Sequence, residues 1–352
     1  MLSGIKEAFR RTAGGAVRLL PLSQNPAATR ELHGLDARYR MDMRTVRETL
    51  AESNLLISGG GSLLQDTTSL RSLIYYLWVV RMALRMRLPV MFYAQGMGPF
   101  RLPLSRWLVR LAANRVSYIT VRDEASAQLL KTIGVKGPPI EVTADPAFAL
   151  QPASREAIDA CWGGKPAPAA GKPKIGVALR PWGPQPAARV DEYAALLTAL
   201  EDRTGGTVVL IPMQLPGDTA FSKAVAGKAG RPFPVLSNPA SPSALLGLIG
   251  DMDVIVAMRL HALIFAARMA TPPYAMSYDP KVENLMQGLD LADSMASWTG
   301  FSPENVANAV KSLLEQRPER SAALRQRAAK LESLALRNAE IALSLVLGHR
   351  SQ

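Results

Sequence analysis

The sequence holds one cysteine, Cys161, and three histidines, His33, His261 and His349. A single thiol excludes an internal disulfide framework and any thiolate-cluster metal site. Three scattered histidines leave no basis for a multi-histidine metal centre; no metal is expected, and no resident cofactor. Long hydrophobic runs are also lacking. The strongest, Leu73 to Val80, stops at Arg81, short of the ~20 residues that a membrane-spanning helix needs. The opening segment MLSGIKEAFRR has too short an apolar stretch for an export signal, and a cytoplasmic location is the expectation. Acidic residues are missing from one long window. From Thr67 to Arg122 there is no Asp or Glu, but there are nine arginines.

What is present describes a basic, globular chain. Its 352 residues suit two domains of roughly 150–180 residues each. Hydrophobic residues make up 48% and charged residues 20%, enough to bury real cores and too apolar for disorder. Lys plus Arg is 41 and Asp plus Glu is 29, a net charge of +12. That surplus favours an acidic partner. In the acid-free window Arg81 and Arg85 are four apart, as are Arg106 and Arg110, so each pair shares a helix face. The window reads either as a solvated basic face or as a surface for peripheral contact with an anionic membrane. It lacks interleaved exposed aromatics and any nucleic-acid module, so no nucleic-acid partner is expected.

Short apolar segments alternate with helical ones. Strands are predicted at Ala16–Leu22, Asn54–Ser58, Pro89–Ala94, Ser117–Arg122 and Ile140–Ala144, and helices at Ser3–Arg11, Thr45–Ala51, Ser69–Met86 and Leu104–Asn114. This alternation indicates an open parallel α/β sheet. The pattern breaks over 151–173, rich in Pro, Ala and Gly, which reads as a linker. A second series follows, with strands at Lys174–Leu179, Thr207–Pro212, Asp253–Met258 and Pro273–Ser277. The expected organisation is a Rossmann-like domain over 1–150, a linker over 151–173, a second Rossmann-like domain over 174–302, and C-terminal helices over 303–352. Two such domains facing a cleft describe the glycosyltransferase-B architecture, with ligands at the carboxyl ends of the strands.

Several strand-end segments carry chemistry. Gly59-Gly60-Gly61, followed by Gln65 and Asp66, can bring backbone N–H groups close to an anion or can simply form a tight turn. Gln95-Gly96 follows the next strand in the same way. The strongest segment is Met258-Arg259-Leu260-His261-Ala262. If the chain is still extended through His261, Arg259 and His261 point the same way at a helix N-terminus that favours negative charge. Arginine grips phosphate or carboxylate, and histidine can transfer protons near neutral pH. Arg180, after the first strand of the second domain, and Asp279 and Lys281, in the turn after Pro273–Ser277, fall on the same edge by topology.

LLISGGGSLLQDTTSLRSLIYYL, YAQGMGPF, ITVRDEAS, VTADPAF, IPMQLPGD, MRLHALIFAA and SYDPKV, in this order, resemble the polysaccharide pyruvyl transferase family. The likeness is to its cell-surface-anchoring CsaB type, from about Leu22 to Leu291. The resemblance implies transfer of a pyruvyl group from phosphoenolpyruvate to a sugar as a cyclic ketal. The implied acceptor is an N-acetylmannosamine residue of a lipid-linked secondary cell wall polymer precursor, whose product anchors S-layer-homology proteins. A donor with phosphate and carboxylate calls for several cations, for which Arg180, Arg259 and Lys281 are the candidates. The family's matching histidine makes His261 the general acid, with Asp66 or Asp279 as base. Arginines can clamp the phosphate without a metal.

Family members open with a strand and a loop resembling GYYGFGNTGDEA. Here Met1–Ile5 resembles the middle of the first helix, so a first strand is expected to be missing. One alternative is a nucleotide-sugar glycosyltransferase of the same fold, although no two glutamates stand eight apart in the second domain. The other is a non-enzymatic scaffold at a membrane surface.

Overall fold

Apolar residues at helical spacing and short β-branched runs build two α/β units, seen in a computed structural model that describes residues 1–67, 69–164, 171–236 and 241–350. The first unit comprises 1–150 together with the chain from Leu331 onward, and the second comprises 151–330.

The first unit opens with α1 (Leu2–Ala13), β1 (Leu22–Ser23), α2 (Pro26–His33), β2 (Arg38–Tyr39) and α3 (Met43–Ala51). Then come β3 (Leu56–Gly59), α4 (Leu70–Arg85), β4 (Val90–Gln95), α5 (Pro103–Ala113), β5 (Tyr118–Val121), α6 (Glu124–Thr132) and β6 (Ile140–Val142). Strands β3-β4-β5-β6 form a parallel sheet in that order. Strand β4 is buried along its whole length, as a central parallel strand covered on both faces must be. Leu73, Leu77 and Val80 of α4 pack with Val109 and Ala113 of α5 against Phe92 and Ile119 of the sheet.

The strand predicted at Ala16–Leu22 is reduced to Leu22–Ser23. Pro21 has no N–H to donate, and β1 pairs only with the equally short β2. Among the described residues strand β3 pairs with β4 alone. Among the described residues, therefore, no strand joins β1 to β3.

The second unit holds α7 (Arg155–Asp159), β7 (Lys174–Ala178), α8 (Val190–Thr204), β8 (Thr207–Leu210), α9 (Gly217–Ala229), α10 (Pro242–Gly250), β9 (Val254–Ala257), α11 (Leu260–Arg268), β10 (Pro273–Ser277), α12 (Pro280–Gly288), β11 (Met295–Ser297) and α13 (Pro303–Glu315). The last helix, α14 (Arg317–Arg350), begins in this unit and ends in the first. The parallel sheet runs β11-β10-β9-β7-β8. Strand β7 therefore has β8 on one side and β9 on the other. The order reverses there, and such switch points are where α/β sheets bind ligands, at the carboxyl ends of the strands. Leu196, Leu197 and Leu200 of α8 and Val306 and Val310 of α13 cover one face of this sheet.

The segment read as a linker is folded where it is described. Ile158 of α7 is buried and lies against Gly247 of α10, where an added Cβ would come within 2.3 Å of Ile158. Cys161 and Trp162 are buried beside it, and Ala153 donates its N–H to Ser243 O at 3.1 Å. Residues 165–170 of that stretch lie outside the described residues. The tail over 303–352 is likewise not a separate layer: α13 belongs to the core of the second unit, and α14 is shared.

Among the described residues, no helix is long and apolar enough to cross a membrane. The acid-free window does carry exposed aromatics, contrary to expectation. Trp78 is 37% exposed and Trp107 53%, because both sit on the outer faces of α4 and α5, away from the sheet.

Candidate functional site

At the carboxyl edge of the second unit's sheet, the segments after β7, β8, β9 and β10 carry polar side chains that meet in two pairs, Arg180 with Tyr278 and Arg259 with Asp218. Arg180 follows β7. Its Nη1 donates to Tyr278 Oη at 2.6 Å, and its guanidinium lies 4.3 Å from the Trp182 ring centroid and 4.8 Å from that of Tyr278. Such contacts orient a cation without neutralising it. Arg180 Nε is buried and has no hydrogen-bond partner among the described residues. No carboxylate pairs with this guanidinium there, so its charge is available to an anion.

Arg259, after β9, is different. Its Nε donates to Asp218 Oδ2 at 2.9 Å and its Nη2 to Asp218 Oδ1. Asp218 is 1% exposed and also accepts the backbone N–H groups of Met213 and Gln214. This bidentate pair ties the segment after β8 to the segment after β9. The sequence reading treated Arg259 as a cation for the donor and placed Met213–Asp218 at the same strand-end edge without pairing the two. The one available signal was the Gly217-Asp218 step closing the loop after β8.

Helix α11 begins at Leu260, so the chain is not extended through His261. Arg259 is its N-cap with no side-chain cap bond, and His261 is already in the first turn. The two residues are thus placed by a helix start and not by strand alternation. Helix α11 opens on this edge, where its N-terminal amides and dipole favour negative charge. Helix α12, by contrast, is capped: Asp279 Oδ1 accepts the N–H of Lys281 at 2.9 Å. Asp279 keeps its second oxygen without a partner among the described residues. Lys281 sits in the first turn of α12.

The first unit's candidates have strong structural duties. An added Cβ on Gly59 would lie 2.1 Å from Tyr93 O, so strand packing demands glycine there. Gly60 has φ +77 and donates to Tyr93 O at 2.8 Å. Gly61 alone has open space around its Cα. Gly96 is pressed against Ser62 and Arg122. Arg122 in turn bonds Asp145 Oδ2 at 3.1 Å and Ser62 Oγ at 3.2 Å, holding the two glycine turns together. Gln95 is fully buried, and neither of its amide atoms has a hydrogen-bond partner among the described residues. The structure therefore places Gln95 beneath the surface, with its amide's bonding capacity unused among the described residues.

Asp66 is not arranged as a base. Its Oδ1 accepts the N–H of Arg101 at 2.8 Å and its Oδ2 the N–H of Leu102 at 2.9 Å, at the start of α5. Desolvation works to raise its pKa, but these bonds outweigh it and hold the carboxyl below the usual aspartate value. A carboxylate bonded at both oxygens is a poor proton acceptor. Among the described residues, no group of three or more His, Cys, Asp or Glu is arranged to hold a metal ion.

The sequence matches the family described as polysaccharide pyruvyl transferase over residues 1–280. The chain belongs to the polysaccharide pyruvyl transferase family. The match takes in every site residue named above except Lys281. No curated protein matches the chain. Among solved structures, this pyruvyl transferase family member resembles UDP-GlcNAc 2-epimerase from Neisseria meningitidis bound to UDP-GlcNAc. The TM-score is 0.65 at 10% identity, over 99% of this chain and 96% of that one. It also resembles a glycosyltransferase from Rickettsia africae ESF-5, with TM-score 0.59 at 12% identity over 97% and 94% of the two chains. At these identities the likeness is one of fold. It makes the family member an α/β protein with two Rossmann-like domains of the glycosyltransferase-B class.

Proposed function

We propose that the protein transfers the pyruvyl group of phosphoenolpyruvate to two hydroxyls of a sugar. The acceptor is N-acetylmannosamine of a secondary cell wall polymer precursor, lipid-linked or polymeric, as in the CsaB type. The observation that carries this reading is Arg180, a guanidinium held by Trp182 and Tyr278 with no carboxylate partner among the described residues, on the same sheet edge as the α11 N-terminus and His261.

In the reaction two new C–O bonds form at the central carbon of phosphoenolpyruvate, and the bond from that carbon to the phosphate oxygen breaks. One acceptor hydroxyl proton ends on the former methylene carbon, making it a methyl group. The other leaves with phosphate. Arg180 binds the donor's anionic end, with Lys281 as an additional charge. Arg259, neutralised by Asp218, positions the start of α11 and has bonding capacity left at Nη1. His261 delivers the proton to the methylene carbon. Asp279, with one oxygen uncommitted among the described residues, is the better candidate than Asp66 to take a hydroxyl proton. The product then supports anchoring of S-layer-homology proteins. The work is placed in the cytoplasm, facing the precursor.

The test is phosphate release from phosphoenolpyruvate in the presence of a panel of N-acetylmannosamine-containing acceptors, with product mass read in parallel. Phosphate release coupled to gain of a carboxyethylidene group is the expected result, abolished in His261→Ala with the fold intact. Absence of phosphate release with every acceptor overturns the proposal. Release of UDP from a nucleotide sugar under the same conditions would establish instead the glycosyltransferase that the fold also permits.

A further inference from the structure

The outer faces of α4 and α5 are unusual for a surface facing water alone. On α5, Leu104, Trp107 and Leu111 are 53%, 53% and 46% exposed. Their i, i+3, i+7 spacing places them on one stripe. That stripe lies opposite Val109 and Ala113, which are buried in the core. On α4, which packs beside α5, Ile74 and Trp78 are exposed and continue into Arg81 and Arg85 along the same helix face. Scattered exposed apolar residues need no explanation, but five large ones on two adjacent helices do.

The charge around them is of one sign. Arg81, Arg85, Arg106 and Arg110 have no carboxylate partner among the described residues, and no acidic residue occurs between Thr67 and Arg122. Arg106, Trp107 and Arg110, with Thr132 and Ile133, also line an open hollow of about 210 Å³. An aromatic and aliphatic stripe with unpaired arginines at its margin is the pattern of a helix lying in a membrane interface. There tryptophan sits at headgroup depth, and each arginine adds attraction to anionic lipid. A nucleic acid would use the arginines but would leave Leu104, Leu111 and Ile74 in water.

We propose that α4 and α5 form a membrane-docking face that rests on an anionic bilayer. Leu104, Trp107 and Leu111 enter the interfacial layer, and the Arg106–Arg110 hollow receives a lipid phosphate. The binding is peripheral, and it is independent of the proposed chemistry, since none of these residues belongs to the candidate site.

The full chain is tested by flotation with vesicles of phosphatidylcholine alone and with phosphatidylglycerol added. Binding is expected on the anionic vesicles and weakened by salt. Arg106→Ala/Arg110→Ala should weaken it roughly thirtyfold, and Leu104→Ser/Trp107→Ser/Leu111→Ser should remove it, with circular dichroism unchanged. Brominated lipid should quench tryptophan fluorescence in the native chain and much less in Trp78→Phe/Trp107→Phe. No binding to anionic vesicles, or equal binding by the variants, overturns the proposal. So does light scattering that shows a dimer dissolved by the triple substitution, which would make the face a contact between copies. Phosphate release with a soluble acceptor should be unaffected by the triple substitution, so that this proposal and the proposed activity can fail separately.

Discussion

Tyr278 Oη accepts a hydrogen bond from Arg180 Nη1 at 2.6 Å while its ring lies beneath the same guanidinium. The phenol therefore does two things: it fixes the direction of the arginine, and it leaves the charge intact. Replacing it by a ring without the hydroxyl separates these roles. Tyr278→Phe should keep the stacking and lose the hydrogen bond. Hydrogen bonds to charged groups contribute about 1.5–3 kcal/mol, so the KM for phosphoenolpyruvate should rise roughly tenfold or more with little change in kcal-scale stability. Steady-state kinetics on phosphate release checks this. An unchanged KM would remove Arg180 from donor binding.

Asp218 should matter more to folding than its position on a loop suggests. It is buried, pairs with Arg259, and satisfies the N–H groups of Met213 and Gln214. Asp218→Ala leaves a guanidinium and two amides without their acceptor. Removing one partner of a buried pair costs about 3–5 kcal/mol. The urea midpoint should fall accordingly. Asp218→Asn, which keeps an acceptor oxygen, should fall less yet still lose activity, because Arg259 is no longer gripped at both nitrogens.

The alternation of strands and helices was legible in the sequence because β4, β5, β8, β9 and β10 are short apolar runs between helical periods. The strand-end position of Arg180, Arg259, His261 and Asp279 was legible for the same reason. Partnership was not. Nothing in the spacing of Arg259 says that Asp218, forty-one residues earlier, occupies it, since that pairing depends on β8 and β9 flanking β7. The partners of Asp66 were hidden in the same way: a carboxylate beside glycines looks like chemistry, and its hydrogen-bond partners are amides thirty-five and thirty-six residues on. The Pro- and Gly-rich composition after Leu150 hid Ile158 and Trp162, whose burial comes from α10.

Asp66 yields a pH prediction whose sign can be worked out. Its folded pKa lies below the unfolded value of about 3.9. Its contribution to stability is therefore complete above about pH 4 and is lost as the pH falls through the lowered folded value. Asp66→Asn should melt at a lower temperature than the native chain at neutral pH, by an amount comparable to loss of a helix cap, about 1 kcal/mol. The gap should close on acidification. Turnover at neutral pH should be nearly unchanged, because both oxygens of the carboxylate are committed to the start of α5. A collapse of activity in a variant that still melts cooperatively would restore Asp66 to the chemistry.

Asn338 tests how α14 is fastened to the first unit. It is fully buried. Its Oδ1 accepts from Thr120 Oγ1 at 2.6 Å and Thr143 Oγ1 at 2.8 Å, and its Nδ2 donates to Ala144 O at 3.3 Å. One amide thus serves β5 and the segment after β6 from a residue 218 and 195 positions away. Asn338→Leu leaves both hydroxyls without that acceptor, although each lies within 3.3 Å of a backbone carbonyl, of Phe92 and Val121 respectively, to which it can turn. That fallback limits the loss to about 1–3 kcal/mol. Thr143→Val alone should also destabilise, since it leaves Oδ1 with one donor. In the double variant the two losses should not add, because Thr143 no longer has a hydroxyl to satisfy once Asn338 is apolar. Thr120 must be left in place, since its Oγ1 accepts the N–H of Ala94. A coupling of about 1 kcal/mol in a urea double-mutant cycle is the expected outcome. Strict additivity would mean that Asn338 and Thr143 act independently and that packing of α14, not this hydrogen-bond cluster, secures it to the sheet.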